Sequence, residues 1–266
     1  MDSTPSSMKS QSKSPTSSPP SSPPVIDSTS KTKQKTKRKK NKTEKKRPEK
    51  VVPPFEGEYI GERLDGLRHG NGVIKYMNGD IFEGQFVSGY RSGQGRYVIE
   101  KQKRIYNGNW RRSYRHGKGR ETFSDGSVYE GYYVKDLFQG PGRLTTTAGT
   151  YDGEFHENLK SGKGTMIWIE SRCKYDGEWI KGFFHGNGTF IGKDGTTYNG
   201  EWKKGMRSGH GSSLLPNGEK YIGDWKNNVY HGQGIYRWSN GKWRKGEWSM
   251  GKRVRWLTND RVGGLP

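Results

Sequence analysis

Glycine returns in this chain with a period that few folds can accommodate. Numbered from the aromatic residue that opens each one, eight units start at Tyr59, Phe82, Tyr106, Tyr129, Tyr151, Tyr175, Tyr198 and Tyr221, 22 to 24 residues apart. Position 3 is glycine in all of them, from Gly61 to Gly223, and so are positions 12 and 14, from Gly70 and Gly72 to Gly232 and Gly234. These three columns take 24 of the 40 glycines. Position 5 is a large aromatic (Phe86, Trp110, Tyr133, Phe155, Trp179, Trp202, Trp225) except at Arg63. Units this short must pack on one another, so function is to be sought along an extended surface rather than in one cleft.

Side chains alternate along a strand, so positions 1, 3 and 5 share a face, and each Tyr-x-Gly-x-Trp reads as a strand with two rings flanking a bare glycine. Positions 12, 14 and 16 read as the second strand, joined by a turn of roughly six residues with glycine often at position 8 (Gly66, Gly89, Gly182, Gly205). Asn78-Gly79, Asp125-Gly126, Asp194-Gly195 and Asn217-Gly218 are hairpin signals between units. The fold class expected is all-β: a single-layer, extended, twisted antiparallel sheet of consecutive hairpins. At ~4.8 Å per strand it would run roughly 75 to 80 Å. A hydrophobic fraction of 27% is too low for an ordinary two-layer core and agrees with this. Trp179, Trp202 and Trp225 are expected to serve folding.

The unit Tyr221-Ile-Gly-Asp-Trp-Lys-Asn-Asn-Val-Tyr-His-Gly-Gln-Gly resembles the MORN repeat, usually written YxGxWxxGxxHGxG, and Tyr175 to Gly188 and Tyr198 to Gly211 match nearly as well. The resemblance covers about residues 59 to 243. Ser113, Asp136, Asn158 and Asn228 depart from it at position 8, and Trp243, Gly246 and Trp248 look like a degenerate ninth unit acting as a cap. The domain organisation is therefore a tail over 1–54, a repeat array over 55–243 and a cap over 244–266.

Residues 1–54 hold no aromatic residue and carry 14 Lys or Arg against 4 Asp or Glu, a large share of the chain's +21. Such a segment cannot bury enough apolar surface to fold. Its basic run, with Lys37, Arg38, Lys39, Lys40, Lys45, Lys46 and Arg47, suits nuclear import, an anionic lipid surface or an acidic polymer. Met1 opens no apolar stretch and no run approaches the ~18 residues of a membrane helix, so an intracellular protein is expected.

No catalytic, metal or cofactor-binding residue is expected. Cys173 is the one cysteine, which excludes a disulfide framework. His69, His116, His185 and His231 share position 11 and read as a structural column, and no glycine pair has the Gly-Lys-Ser/Thr ending of a phosphate loop. The acidic residues at position 4 (Glu62, Glu154, Glu178, Glu201, Asp224) read as partners for nearby Lys or Arg. A basic stripe does recur: Arg68, Arg91, Arg115, Lys160 and Arg207 at position 10, with Arg96, Arg120 and Arg143 at position 15. Stacked along a ribbon these should line one edge or face. Aromatics nearby, including Tyr90, Tyr114, Phe138, Phe183, Phe184 and Tyr230, are expected to be exposed among the charges and to anchor an interface.

The leading expectation is a non-enzymatic scaffold whose aromatic-lined face clasps an extended or helical segment of a protein partner. The resemblance implies a cytoskeletal role, since radial-spoke-head proteins of cilia and flagella contain such arrays, and hence a cytoplasmic, axonemal location. The alternative is a peripheral membrane adaptor on anionic phospholipid. End-to-end homodimerisation at a strand edge is a further expectation, and nucleic acid is not an expected partner. On this reading Arg91→Glu with Arg115→Glu leaves the sheet intact and weakens association.

Overall fold

The computed structural model describes residues 57–262 and 264; the basic run Lys37 to Arg47 lies outside them. Strands come in hairpins: β1 (Gly57–Leu64) with β2 (Leu67–Tyr76), β3 (Ile81–Val87) with β4 (Tyr90–Ile99), β5 (Arg104–Arg111) with β6 (Tyr114–Thr122), and β7 (Val128–Val134) with β8 (Leu137–Thr145). Then follow β9 (Gly149–His156) with β10 (Leu159–Trp168), β11 (Lys174–Ile180) with β12 (Phe183–Ile191), and β13 (Thr197–Lys203) with β14 (Met206–Leu214). The last are β15 (Lys220–Lys226) with β16 (Val229–Arg237) and β17 (Trp243–Ser249) with β18 (Lys252–Trp256). Each strand pairs antiparallel with the next in sequence, giving one open sheet of 18 strands, as the repeat predicts. A single 3-10 turn, Glu100–Gln102, interrupts the link between β4 and β5.

The hairpin turns are tighter than the six residues expected. Positions 6 and 9 still pair, as in Leu64↔Leu67 and Ile180↔Phe183, so only positions 7 and 8 turn. Both have left-handed backbone, for example Asp65 at φ 48° and Gly66 at 74°, the geometry whose twist matches the flanking strands. Between units, Asn78, Asp125, Asp194, Asn217 and Asn240 each accept the backbone N–H two residues on, and the glycine that follows has positive φ, as the Asn-Gly and Asp-Gly pairs predict.

The three glycine columns do two different jobs. Position 12 is left-handed in every unit, from Gly70 (φ 58°) to Gly232 (φ 63°). It lies in a bulge where positions 11 to 13 face position 4 alone, so that Gly177 opposes Gly188 while Trp179 opposes Phe184. Position 4 accepts the position-13 N–H inside this bulge: Glu62 from Asn71 at 2.8 Å, Glu178 from Asn187 at 2.9 Å, Glu201 from His210 at 2.8 Å. The acidic column thus serves backbone rather than the Lys and Arg partners expected of it.

Positions 3 and 14 form one continuous line. Gly61 opposes Gly72, which opposes Gly84, which opposes Gly95, and the line continues strand by strand to Gly246. Across it lies the position-1 ring of each unit; a Cβ on Gly188 would sit 2.4 Å from the Tyr175 hydroxyl oxygen, and one on Gly234 2.5 Å from that of Tyr221. The ring hydroxyl donates to the position-4 carbonyl, Tyr106 to Asn109 at 2.9 Å and Tyr198 to Glu201 at 2.9 Å. The position-5 indole reaches back to the position-14 carbonyl of the preceding unit, Trp179 to Gly164 at 2.8 Å and Trp202 to Gly188 at 3.0 Å.

At the C-terminal end the pattern closes. Gly246 holds position 3 and Trp248 position 5, which puts Arg244 rather than Trp243 at position 1. Opposite Gly246 stands Trp256 instead of another glycine, and beyond it Arg261 bridges to Trp243 while Asp260 pairs with Arg244 and Lys242.

Gly188→Ala is expected to lower stability by about 3 kcal/mol because Tyr175 must move, whereas Gly182→Ala, which meets no atom within 4 Å but has φ +84°, is expected to cost about 1 kcal/mol. Urea midpoints of the two variants measure the difference; equal effects would deny the line its close approach.

Candidate interaction surface

The rings at positions 1 and 5 form an unbroken zipper. Tyr175 meets Trp179 of its own hairpin edge-on at 5.2 Å and Trp202 of the next at 5.5 Å, and the pattern recurs from Tyr59–Phe86 at 5.3 Å to Tyr221–Trp248 at 5.1 Å. These rings are buried from Phe82 onward. Burial pushes the hydroxyl pKa of Tyr106, Tyr129, Tyr151, Tyr175, Tyr198 and Tyr221 upward.

Position 10 roofs this zipper, and this corrects the reading of the basic stripe. Phe138, Phe184 and Tyr230 lie flat on the position-1 ring of their own unit, 3.7, 3.8 and 3.9 Å away. In the other units a cation takes the same place. The Arg207 guanidinium carbon stands 4.6 Å from the Trp225 ring and 5.7 Å from Tyr198; Arg115 lies over Tyr133 and Tyr106; Arg91 lies 4.3 Å from Trp110; Arg68 lies 5.9 Å from Phe86. Each arginine also donates to the turn of the following hairpin: Arg68 to the Gly89 carbonyl at 2.9 Å, Arg91 to Ser113 at 3.2 Å, Arg115 to Asp136 at 3.1 Å, Arg207 to Asn228 at 3.0 Å. Arg207, Phe184 and Tyr230 are 4%, 3% and 4% exposed, so the position-10 rings and cations are packing elements. Phe183 alone of the six aromatics named is freely exposed, at 53%. An aromatic groove open to a partner is thereby closed over by the array's own column.

Two of these roofs carry unusual charge. Glu121, 1% exposed at position 16 where other units hold Ile74 or Phe190, accepts from Arg104 at 2.5 Å, Arg115 at 2.7 Å and the Tyr133 hydroxyl at 3.1 Å. The Lys160 ammonium lies 4.9 Å from the Tyr151 ring and 5.1 Å from Trp179 with Met166 Sδ at 3.4 Å, and burial lowers its pKa to about 8. Burial likewise lowers Arg207 to about 10.

Position 15 is on the other face. Arg120 pairs with Glu130 at 2.7 Å and Arg143 with Asp152 at 2.5 Å across neighbouring strands, so positions 10 and 15 do not join into one stripe. The turns build a continuous edge of their own. At every step the position-8 N–H donates to the position-10 carbonyl of the preceding hairpin, as from Gly182 to Lys160 and from Gly205 to Phe184, both at 2.9 Å. The four departures from glycine at position 8 reinforce it. Ser113, Asp136, Asn158 and Asn228 accept the position-10 N–H of Arg91, Arg115, Phe138 and Arg207 at 3.1, 2.9, 2.8 and 2.8 Å. Along this edge, on the face away from the rings, positions 6 and 9 leave apolar side chains exposed, a feature that a strand-by-strand reading of the sequence hides inside the supposed turn.

Among the described residues no cluster of His, Cys, Asp and Glu is arranged to hold a metal ion, and no helix is long and apolar enough to cross a membrane. Sheet, glycine line and ring zipper define a single-layer array of β-hairpin repeats. Within that class the chain belongs to the MORN-repeat family, whose pattern matches residues 59–81, 82–102, 106–128, 129–150, 151–169, 175–197, 198–220 and 221–243. It is 32% identical over 66 residues to MORN repeat-containing protein 3 of Xenopus laevis, a match covering 25% of this chain and 26% of that relative's length. Among solved structures it is similar to the TCP10 domain of Danio rerio CPAP in complex with a STIL peptide, with 10% identity, coverage of 71% and 84% and a TM-score of 0.42. It is also similar to the Drosophila melanogaster SAS-4 TCP domain in complex with a proline-rich motif of Ana2, with 18% identity, coverage of 68% and 96% and a TM-score of 0.37. Scores this low do not bear on fold or function.

Since Arg91 and Arg115 roof the zipper, Arg91→Glu with Arg115→Glu is expected to lower the melting midpoint markedly, in contrast to the intact sheet that the sequence alone predicts; an unchanged melt by circular dichroism would contradict a packing role for the two arginines. Lys160→Met is expected to stabilise the array at pH 7 by about 1 kcal/mol. The folded pKa of about 8 lies below that of an unfolded lysine, so wild-type stability rises between pH 8 and 10.5 and the gap to the variant narrows. Urea midpoints at pH 7 and 9.5 read this, and a gap that widens would contradict it.

Proposed function

We propose that this chain is a non-enzymatic protein-interaction scaffold, and that it serves a cytoskeletal assembly such as the ciliary or flagellar axoneme. The observation that supports this is the staircase of position-8 to position-10 backbone bonds. It stacks the turns in fixed register and presents the same positions hairpin after hairpin along one axis. A surface that repeats along a line is matched to a partner that also extends along a line, whereas a small substrate would use one hairpin and leave the others idle. The rings and the position-10 cations contribute by holding that surface rigid.

A second reading has its own observation. The net positive charge of residues 1–54 favours attachment to anionic phospholipid at the cytoplasmic face of a membrane, with about 1 kcal/mol for each basic residue near the surface.

Tagged full-length protein and a form lacking residues 1–50, expressed in a ciliated cell before and after detergent extraction, separate the two. Retention of both forms on detergent-resistant axonemes is the expected result. Release by detergent, with the shortened form lost from membranes, would reject the scaffold reading in favour of the lipid one.

A further inference from the structure

The turn edge carries an apolar stripe framed by cations. In three consecutive hairpins, β7–β8, β9–β10 and β11–β12, Val134, Leu159, Ile180 and Phe183 are 42%, 46%, 48% and 53% exposed. Ile180 and Phe183 face each other across their turn, as Val134 does Leu137, whereas Leu159 faces His156, so the stripe is two apolar side chains wide in the outer hairpins and one wide in the middle one. All stand on the face opposite the buried rings, because positions 5 and 6 point to opposite sides of the sheet. Arg111 and Lys135 stand at the N-terminal end of the stripe, and Lys181 and Lys203 at its C-terminal end. His116 registers the field at the first of these ends: burial lowers its pKa, and the nearby charges of Arg111 and Lys135 lower it further. Glu157 is the only carboxylate at positions 6 to 9 of these three hairpins besides Asp136, which is engaged by Arg115.

The spacing is as specific as the charge. Each hairpin adds two strands, roughly 9.6 Å along the edge. In an α-helix seven residues advance roughly 10.5 Å. A helix with an apolar residue pair in every heptad therefore meets one apolar rung per hairpin for about three hairpins before sheet twist carries the edge away.

We propose that the turn edge over β7 to β12 docks an amphipathic helix with heptad-spaced apolar residues and acidic flanks, supplied by the protein partner. This rests on the scaffold reading and names its partner's chemistry. The helix lays its apolar residues on Val134, Leu159, Ile180 and Phe183 and sets its carboxylates against the cations at either end. A lipid bilayer is the poorer occupant, since a stripe at most two side chains wide, held rigid by the turn stack, cannot spread into an interface.

The test uses the full chain and a labelled synthetic peptide of about three heptads with Leu at a and d and Glu on the flanks, with a scrambled peptide and vesicles containing phosphatidylserine as comparisons. Fluorescence anisotropy is expected to show binding of the heptad peptide alone. Ile180→Thr with Phe183→Thr is expected to weaken it about tenfold or more, and Lys181→Glu with Lys203→Glu by a comparable factor. Should the first pair fail to fold by circular dichroism, Leu159→Thr carries the same expectation. No binding, equal binding of the scrambled peptide, indifference to these substitutions, or vesicle binding that they abolish without peptide binding would each overturn the proposal. In cells, retention of the Ile180→Thr, Phe183→Thr form on detergent-resistant axonemes defeats this inference and leaves the scaffold standing, whereas release of the wild type counts against the scaffold itself.

Discussion

Everything in this molecule depends on a tyrosine ring lying where a side chain would otherwise be. Gly177 and Gly188 face each other beneath Tyr175, and the would-be Cβ atoms at both sites fall within 2.7 Å of the ring's hydroxyl oxygen. Only a strand pair without Cβ atoms lets the ring reach across to the position-4 carbonyl, and only a ring so placed leaves the neighbouring indole room to reach back one hairpin. A single-layer sheet with little aliphatic residue gains a core in this way, built from rings packed edge to face along the ribbon instead of between two layers.

The roof over that core shows how loosely chemistry and how tightly shape are specified. Phe184 and Arg207 occupy the same column, and each covers the position-1 ring of its own hairpin and the position-5 ring of the next. A guanidinium is planar and weakly hydrated, so it can stack where a phenyl ring stacks and also satisfy a turn carbonyl that the phenyl cannot. Lys160 fills the column without that planarity, and burial lowers its pKa as it lowers that of Arg207. Glu121 is the complementary case, a carboxylate admitted to an apolar column because Arg104 and Arg115 converge on it.

The fold was legible because its determinants are periodic: glycines at positions 3 and 14 and rings at 1 and 5 state the strands directly. What was not legible was burial. Three residues at positions 11 to 13 face one at position 4, so the bulge preserves the alternation, and counting by twos puts Arg207 on the face of Trp202 and Gly211 and Arg143 on the other, but it does not show that the next hairpin brings Trp225 under the guanidinium. A cluster of arginines in a repeat looks like a binding stripe when burial is unknown, and the repeat letters of Arg68, Arg91 and Arg115 carry no sign that each lies over a ring. The pairing of positions 6 and 9 was masked because the turn reads as six residues long, whereas left-handed backbone at two residues closes it; of its exposed members the sequence pointed only to Phe183.

Because each strand pairs only with its sequence neighbours, the hydrogen bonds of the sheet run along the long axis of the array. Tension applied between its ends therefore pulls those bonds open one row at a time instead of shearing many together. A hairpin opened in this way releases roughly 70 to 80 Å of chain, and because neighbours in the array touch only across one row, the hairpins beyond it keep their own pairing.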